Sequence, residues 1–228
     1  EIFNRYICGV PEEIYSKLAV EPVLRTYLLS LISSGVVQDN KSIKQFFSQT
    51  FWAHQFNDLP RLEKIIDKML LLLEGWQFIS IVGCEKSEFI SANQLQNDSK
   101  KINPTSIGKR ISELYLDPLT ARHLLDCLQL FNNTKTEFSL LQMITHTLEL
   151  RPLLRVKVRE QDLVQEELLK RYELLLEKEP SIYDSDYSEF IDSIKTALFL
   201  EGWISENTED FLLEKFDIRP GEIRAKLE

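Results

Sequence analysis

The sequence predicts a mainly α-helical protein of two parts, a small helical domain with a β-hairpin followed by an all-helical bundle. Three observations carry this. Apolar residues recur at helical spacing along most of the 228 residues. The period changes in one place, Trp76 to Ala92, to short aromatic and β-branched runs. From Pro104 to the last residue the helical pattern returns without a fixed repeat.

Each element has its own signals. From Val20 to Ser34 the residues Val23, Leu24, Tyr27, Leu28, Leu31 and Ile32 share one helical face, and Gly35 is a natural stop. Asn40 is expected to cap a second helix with Ile43, Phe46 and Phe47 apolar through to Phe51. Asp58-Leu59-Pro60 is a cap followed by a first-turn proline, opening a strongly apolar third helix that ends at Gly75. Trp76 to Val82 and Glu88 to Ala92 then read as two strands around the turn Gly83 to Ser87. Three helices followed by a hairpin is the order of a winged-helix domain, although any small α+β domain fits the same pattern. Further helices are expected from Pro104 to Leu114, Leu119 to Phe131, Glu137 to Leu150, Glu160 to Lys178, Asp186 to Leu200, Glu209 to Asp217 and from Pro220 onward. The division places a linker and the winged helix at 1–116 and the helical domain at 117–228.

Composition excludes several classes. No apolar run approaches the roughly 18 residues of a membrane span, so no membrane is expected among the partners. Cys8, Cys84 and Cys127 are widely spaced with no CxxC, which disfavours a disulfide framework or zinc cluster and points to a reducing cytoplasmic, intracellular setting. The start at Glu1, without Met or an apolar leader, reads as a piece of a longer chain. There is no GxxxxGK[ST], GxGxxG, HExxH or GxSxG, so no catalytic centre and no cofactor are expected here. His54, His123 and His146 are far apart in sequence and read as structural or surface residues, and Cys127 as a small core residue, so no metal is expected either.

The net charge of -9 is unevenly placed. Residues 160–217 hold 17 acids against 5 bases, leaving a net of +3 elsewhere. Two basic clusters result: Lys100, Lys101, Lys109, Arg110 and Arg122 near the domain junction, and Arg151, Arg155, Lys157 and Arg159, a run without an acid. If 155–159 is extended, its alternation places three bases on one side, which suits a groove tracking a nucleic-acid backbone; the bland alternative is a solvated connector. Lys109, Arg110, Arg151, Arg155, Lys157, Arg159, Arg219 and Arg224 are the candidate nucleic-acid contacts, with the acidic stretch expected to face away from the strand. Arg110 has a second possibility, an ion pair with nearby Asp117. In the third helix Arg61, Lys64 and Lys68 are diluted by Glu63, Asp67 and Glu74, which disfavours base-specific readout of duplex DNA and hence a transcription regulator.

Four strings are more specific. Tyr6-Ile7-Cys8-Gly9-Val10-Pro11-Glu12, then Ser16-Lys17-Leu18 with Val23-Leu24-Arg25, then Ile107-Gly108-Lys109-Arg110 through Asp117-Pro118-Leu119-Thr120-Ala121, then Ile218-Arg219-Pro220-Gly221-Glu222-Ile223-Arg224, resemble the region after the motor domains in HelQ-like archaeal DNA helicases of the Ski-two-like group. The resemblance implies a winged helix that braces two RecA-like motors, where ATP and Mg would bind. It also implies a helical ratchet-type domain that guides single-stranded or forked DNA and couples motor motion to translocation, with a role in DNA repair or replication-fork processing. The family's ratchet helix would begin near Pro220, and its base-stacking aromatic lies farther along than Glu228. A protein-interaction adaptor with an acidic helical face, and the accessory region of an RNA helicase, are the alternatives.

Overall fold

The computed structural model describes residues 2–7, 9, 13–82, 100–132 and 135–227. The chain divides into two compact units, 1–119 and 120–228.

The first unit opens with the short helix α1 (Ile2–Tyr6) and α2 (Glu21–Ser33), whose Leu24, Leu28, Leu29 and Ile32 form the buried stripe. It stops at Gly35, whose φ of 74° is costly for any side chain. The cap of α3 (Asn40–Ser48) is Asp39, one residue earlier than expected: its carboxylate accepts the Ser42 N–H at 2.7 Å, while Ser42 Oγ accepts the Asp39 N–H at 3.1 Å. The helix expected to continue to Phe51 breaks at Gln49, because the Thr50 hydroxyl accepts the Ala53 N–H and starts α4 (Phe51–Phe56). α5 (Leu59–Gly75) begins as expected, with Asp58 accepting the Arg61 N–H at 3.2 Å, and buries Leu62, Ile66, Met69, Leu70 and Leu73.

β1 (Ile79–Val82) pairs antiparallel with β2 (Lys101–Pro104), Ile79 opposite Pro104 and Val82 opposite Lys101. The expected turn at Gly83 to Ser87 and return strand at Glu88 to Ala92 lie outside the described residues. Pro104 does not open a helix; it ends β2, where buried Ile102 also donates its N–H to the Gln38 carbonyl at 2.7 Å. The helix start moves to Thr105, whose hydroxyl accepts the Gly108 N–H at 3.1 Å at the head of α6 (Ser106–Glu113). Gly108 is where α6 meets the entry to β1: a Cβ there would stand 1.9 Å from the Phe78 carbonyl oxygen. Arg25 reaches from α2 to Asp117, two parallel hydrogen bonds of 2.6 Å in a largely buried setting.

α7 (Pro118–Gln129) leads into the second unit, followed by α8 (Glu137–Thr145), α9 (Gln161–Lys170), α10 (Tyr187–Ile204), α11 (Glu209–Phe216) and α12 (Pro220–Leu227). α10 is the organiser. Its Phe190, Ile191, Ile194 and Ala197 meet Phe138 of α8 and Val164 and Leu168 of α9. Its last turns put Phe199 against Leu154, Leu212, Phe216, Ile218 and Ile223. α9 is shorter than the expected Glu160–Lys178, giving way to a 3-10 turn at Tyr172–Leu174. Leu175 and Leu176, which prolong the apolar pattern, are buried in different clusters, so tertiary contacts rather than a helical stripe account for them. The chain is mainly α-helical, as expected.

Candidate nucleic-acid interface

Residues 151–157 run without helix or strand partners along α10, and side chains of that helix hold their backbone. Leu154 donates its N–H to Thr196 Oγ1 at 3.0 Å, Val156 donates to Asp192 Oδ1 at 2.7 Å, and the Arg155 carbonyl accepts from Lys195 Nζ at 3.0 Å. Lys195 is only 2% exposed, and its charge is met by Glu160 at 2.8 Å. Backbone polar groups that would otherwise be buried unpaired are thus satisfied by side chains. Leu154 points into the core, while Arg155 and Lys157 are exposed. The alternation expected from the sequence therefore holds as far as Lys157. It stops there, because Val158–Glu160 is a 3-10 turn, so Arg159 reaches the surface from a turn rather than from the extended run.

The run is not free of acids in space. Asp217, in a left-handed cap at the end of α11, accepts from both Lys157 and Arg159, and Lys157 Nζ also donates to the Asp217 carbonyl at 2.7 Å. The Lys157 hydrogen bond, then that of Arg159, hold the Asp217 carboxyl down at about 2. Because that value lies below its ordinary 3.8, the stabilisation is present above about pH 4 and lost as pH falls toward 2. Arg151 is paired with Glu189 at 2.5 Å. Part of the acidic stretch therefore lies against the basic run instead of facing away from it. Spacing gives no hint of this, since Asp217 is 60 residues from Lys157.

Arg219 joins Lys157, Arg159 and Asp217 around a surface hollow at the start of α12. Glu222 accepts the Arg219 N–H at 2.8 Å, and Lys226 ties the helix back by donating to the Leu150 carbonyl at 2.7 Å and to that of Pro152. A groove of about 400 Å³, lined by Arg155, Lys157, Ile218 and Ala225 among others, runs beside it. Arg224 is exposed on α12. Among the described residues Arg155, Arg219 and Arg224 make no ion pair within 4.0 Å. Lys109 and Arg110 belong to α6 of the first unit, both exposed. Arg110 pairs with Glu113 at 3.1 Å and not with Asp117, which Arg25 holds.

The arrangement presents cations on a fixed backbone, with one acid shared between two of them, the kind of surface that meets a phosphate chain without reading bases. No helix among the described residues is long and apolar enough to cross a membrane.

Residues 138–228 match the family described as archaeal helicase, domain 4. The match covers α8 through α12 and includes the strapped run. Similarity to curated proteins extends over both units. The chain is 35% identical over 222 residues to the ATP-dependent DNA helicase Hel308 of Methanocaldococcus jannaschii, covering 96% of this chain and 16% of that protein. It is 31% identical over 225 residues to the Hel308 of Pyrococcus abyssi, covering 97% of this chain and 28% of that protein. For the Hel308 of Thermococcus kodakarensis the figures are 31% over 229 residues, 100% and 19%. The chain thus spans less than a third of the length of each of these three relatives. The chain is thus similar over both units to ATP-dependent DNA helicases of archaea, and over its last 91 residues to a domain of archaeal helicases.

Proposed function

We propose that this chain is the non-catalytic part of an ATP-dependent DNA helicase of the HelQ-like, Ski-two-like kind, acting in DNA repair or replication-fork processing. In this reading residues 1–116 form a linker and a winged helix that braces the RecA-like motors. Residues 117–228 form a ratchet-type domain that guides single-stranded or forked DNA and couples motor motion to translocation. ATP and magnesium belong to the motors, whose phosphate-cradling motifs are not among these 228 residues. The observation that carries the reading is the strapped run: Arg155 and Lys157 project from a backbone immobilised on α10, with Arg159 and Arg219 around the same hollow as Lys157. Fixed cations facing a mobile phosphate chain give affinity without sequence preference, which a translocating strand requires.

Fluorescence anisotropy with single-stranded oligonucleotides tests it. The chain is expected to bind different sequences alike, with a log-log salt slope of about -0.7 per phosphate contact. Changing Arg155 and Lys157 together to Ala is expected to weaken binding of every sequence and flatten the slope by roughly 1.4. Asp217→Asn, which removes the shared counter-charge, is expected to tighten binding. Equal binding by the double variant and the parent chain at about 50 mM salt, where phosphate contacts are strongest, would remove the strand-guiding role from this run.

A further inference from the structure

His123 and His146, separate in sequence, meet in the second unit. His123 projects from α7, and His146 caps the end of α8. Their rings stand 5.7 Å apart, nearly perpendicular. Glu177, from the segment after the 3-10 turn, completes the group: its Oε2 is 2.8 Å from His146 Nδ1 and 4.0 Å from His123 Nδ1. The three donor atoms lie within 4.8 Å of one another. The sequence reading of these histidines as isolated is therefore corrected by the fold.

We propose that His123, His146 and Glu177 form a binding site for a single zinc-class divalent cation, held through His123 Nδ1, His146 Nδ1 and Glu177 Oε2.

The surroundings prepare the donors for that role. His123 Nε2 lies 3.2 Å from the Met143 carbonyl, and donating to it places the proton on Nε2, leaving the Nδ1 lone pair turned toward the carboxylate. Gln142, wholly buried, donates from Nε2 to Glu177 Oε1, which leaves Oε2 for the site. Its own Oε1 has no hydrogen-bond partner among the described residues, although buried polar atoms are rarely left so. Such carbonyl and amide partners around ligating side chains orient them and raise metal affinity.

Chemistry and access agree. Two imidazoles and one carboxylate suit zinc, cobalt or nickel, whereas calcium and magnesium favour all-oxygen sets. Donors about 2.0–2.2 Å from a tetrahedral ion stand roughly 3.3–3.6 Å apart, so side-chain rotation has to widen the 2.8 Å separation and close the 4.0 Å one, within a set that spans at most 4.8 Å. Side-chain exposures of 24%, 20% and 14% leave each of the three residues in partial contact with solvent. An entering cation takes the place of the hydrogen between His146 Nδ1 and Glu177 Oε2, and the imidazole that binds it is neutral, with its one proton on Nε2. The Cys127 thiol sits 3.8 Å from the His123 ring nitrogens, beside the set of three donors rather than within it.

Calorimetric titration of the chelator-treated chain with Zn²⁺, and separately with Co²⁺, tests the site. One ion per chain is expected, with His123→Gln, His146→Gln and Glu177→Gln each weakening binding by more than about 100-fold, and Gln142→Met by about 10–100-fold. Cys127→Ser is expected to leave the affinity within about twofold of the parent, against the roughly 100-fold effects of the ligands. Failure of the unaltered chain to bind stoichiometrically, retention of binding by the histidine variants, or its loss in Cys127→Ser would overturn the assignment. Should a variant fail to fold, the parent chain decides alone: its Co²⁺ complex should show the visible d–d bands of four- or five-coordinate cobalt, and the pale spectrum of a six-coordinate, largely aqueous ion would overturn the proposal. These outcomes do not depend on DNA binding.

Discussion

Arg25→Ala is expected to destabilise the first unit by about 3–5 kcal/mol, the range for removing one partner of a buried ion pair. The side chains of Arg25 and Asp117 are only 8% and 15% exposed, so little water could replace the two 2.6 Å hydrogen bonds that Arg25 gives. Asp117 also accepts the Leu119 N–H at 2.9 Å, so it starts α7 while holding α2. The double change Arg25→Met with Asp117→Asn should therefore be milder than Arg25→Ala alone, since it removes both charges of the pair together and keeps a capping side chain. Urea unfolding followed by the fluorescence of Trp52, buried in this unit, gives both numbers. A loss below about 1 kcal/mol for Arg25→Ala would show the pair to behave as a solvated surface bridge.

Gly108→Ala is expected to cost about 3 kcal/mol or more, against the direction of helix propensity. In an exposed helix the exchange would gain roughly 1 kcal/mol. Here the new Cβ would stand 1.9 Å from the Phe78 oxygen and 2.7 Å from its carbonyl carbon, both backbone atoms that cannot swing aside. The same oxygen accepts the Thr105 N–H at 3.0 Å, so moving it also breaks the junction between β2 and α6. A thermal melt of the first unit should fall by roughly 10–15 °C. An unchanged or raised midpoint would mean that α6 shifts on the ribbon at no cost.

These two residues explain why the most specific strings carry information that composition lacks. Arg25 closes one string and Asp117 sits in another, and they are the two halves of one ion pair. Gly108 lies in the same string as Asp117 because α6 has to touch backbone there. Local signals were legible: the stop at Gly35, the cap at Asp58 and the apolar stripes of α2 and α5 all act within a few residues. Where two local signals competed, the reading slipped, as at Asp39 over Asn40 and at Thr50, whose hydroxyl ends one helix by starting another. What depends on distant partners was not legible. β2 exists because β1 and Gln38 supply hydrogen bonds to it, and the counter-charges Asp217 and Glu189 reach the basic run only after α10 and α11 pack. The histidine pair belongs to the same class, although His123 and Cys127, four apart on α7, were a local trace of it.

The strap on α10 also has a dynamic consequence. The amides of Leu154 and Val156 lie in a segment with no regular secondary structure, the kind of backbone that ordinarily exchanges with solvent deuterium quickly. Their acceptors are Thr196 and Asp192, side chains of α10, whose Phe190, Ile194 and Ala197 are fully buried. Neither amide can open unless the segment lifts off α10 or the helix itself unravels, so both should exchange with the slow cooperative block of α10 rather than with loops. The exchange rate of this stretch of coil is set by a helix that begins thirty residues later in the chain.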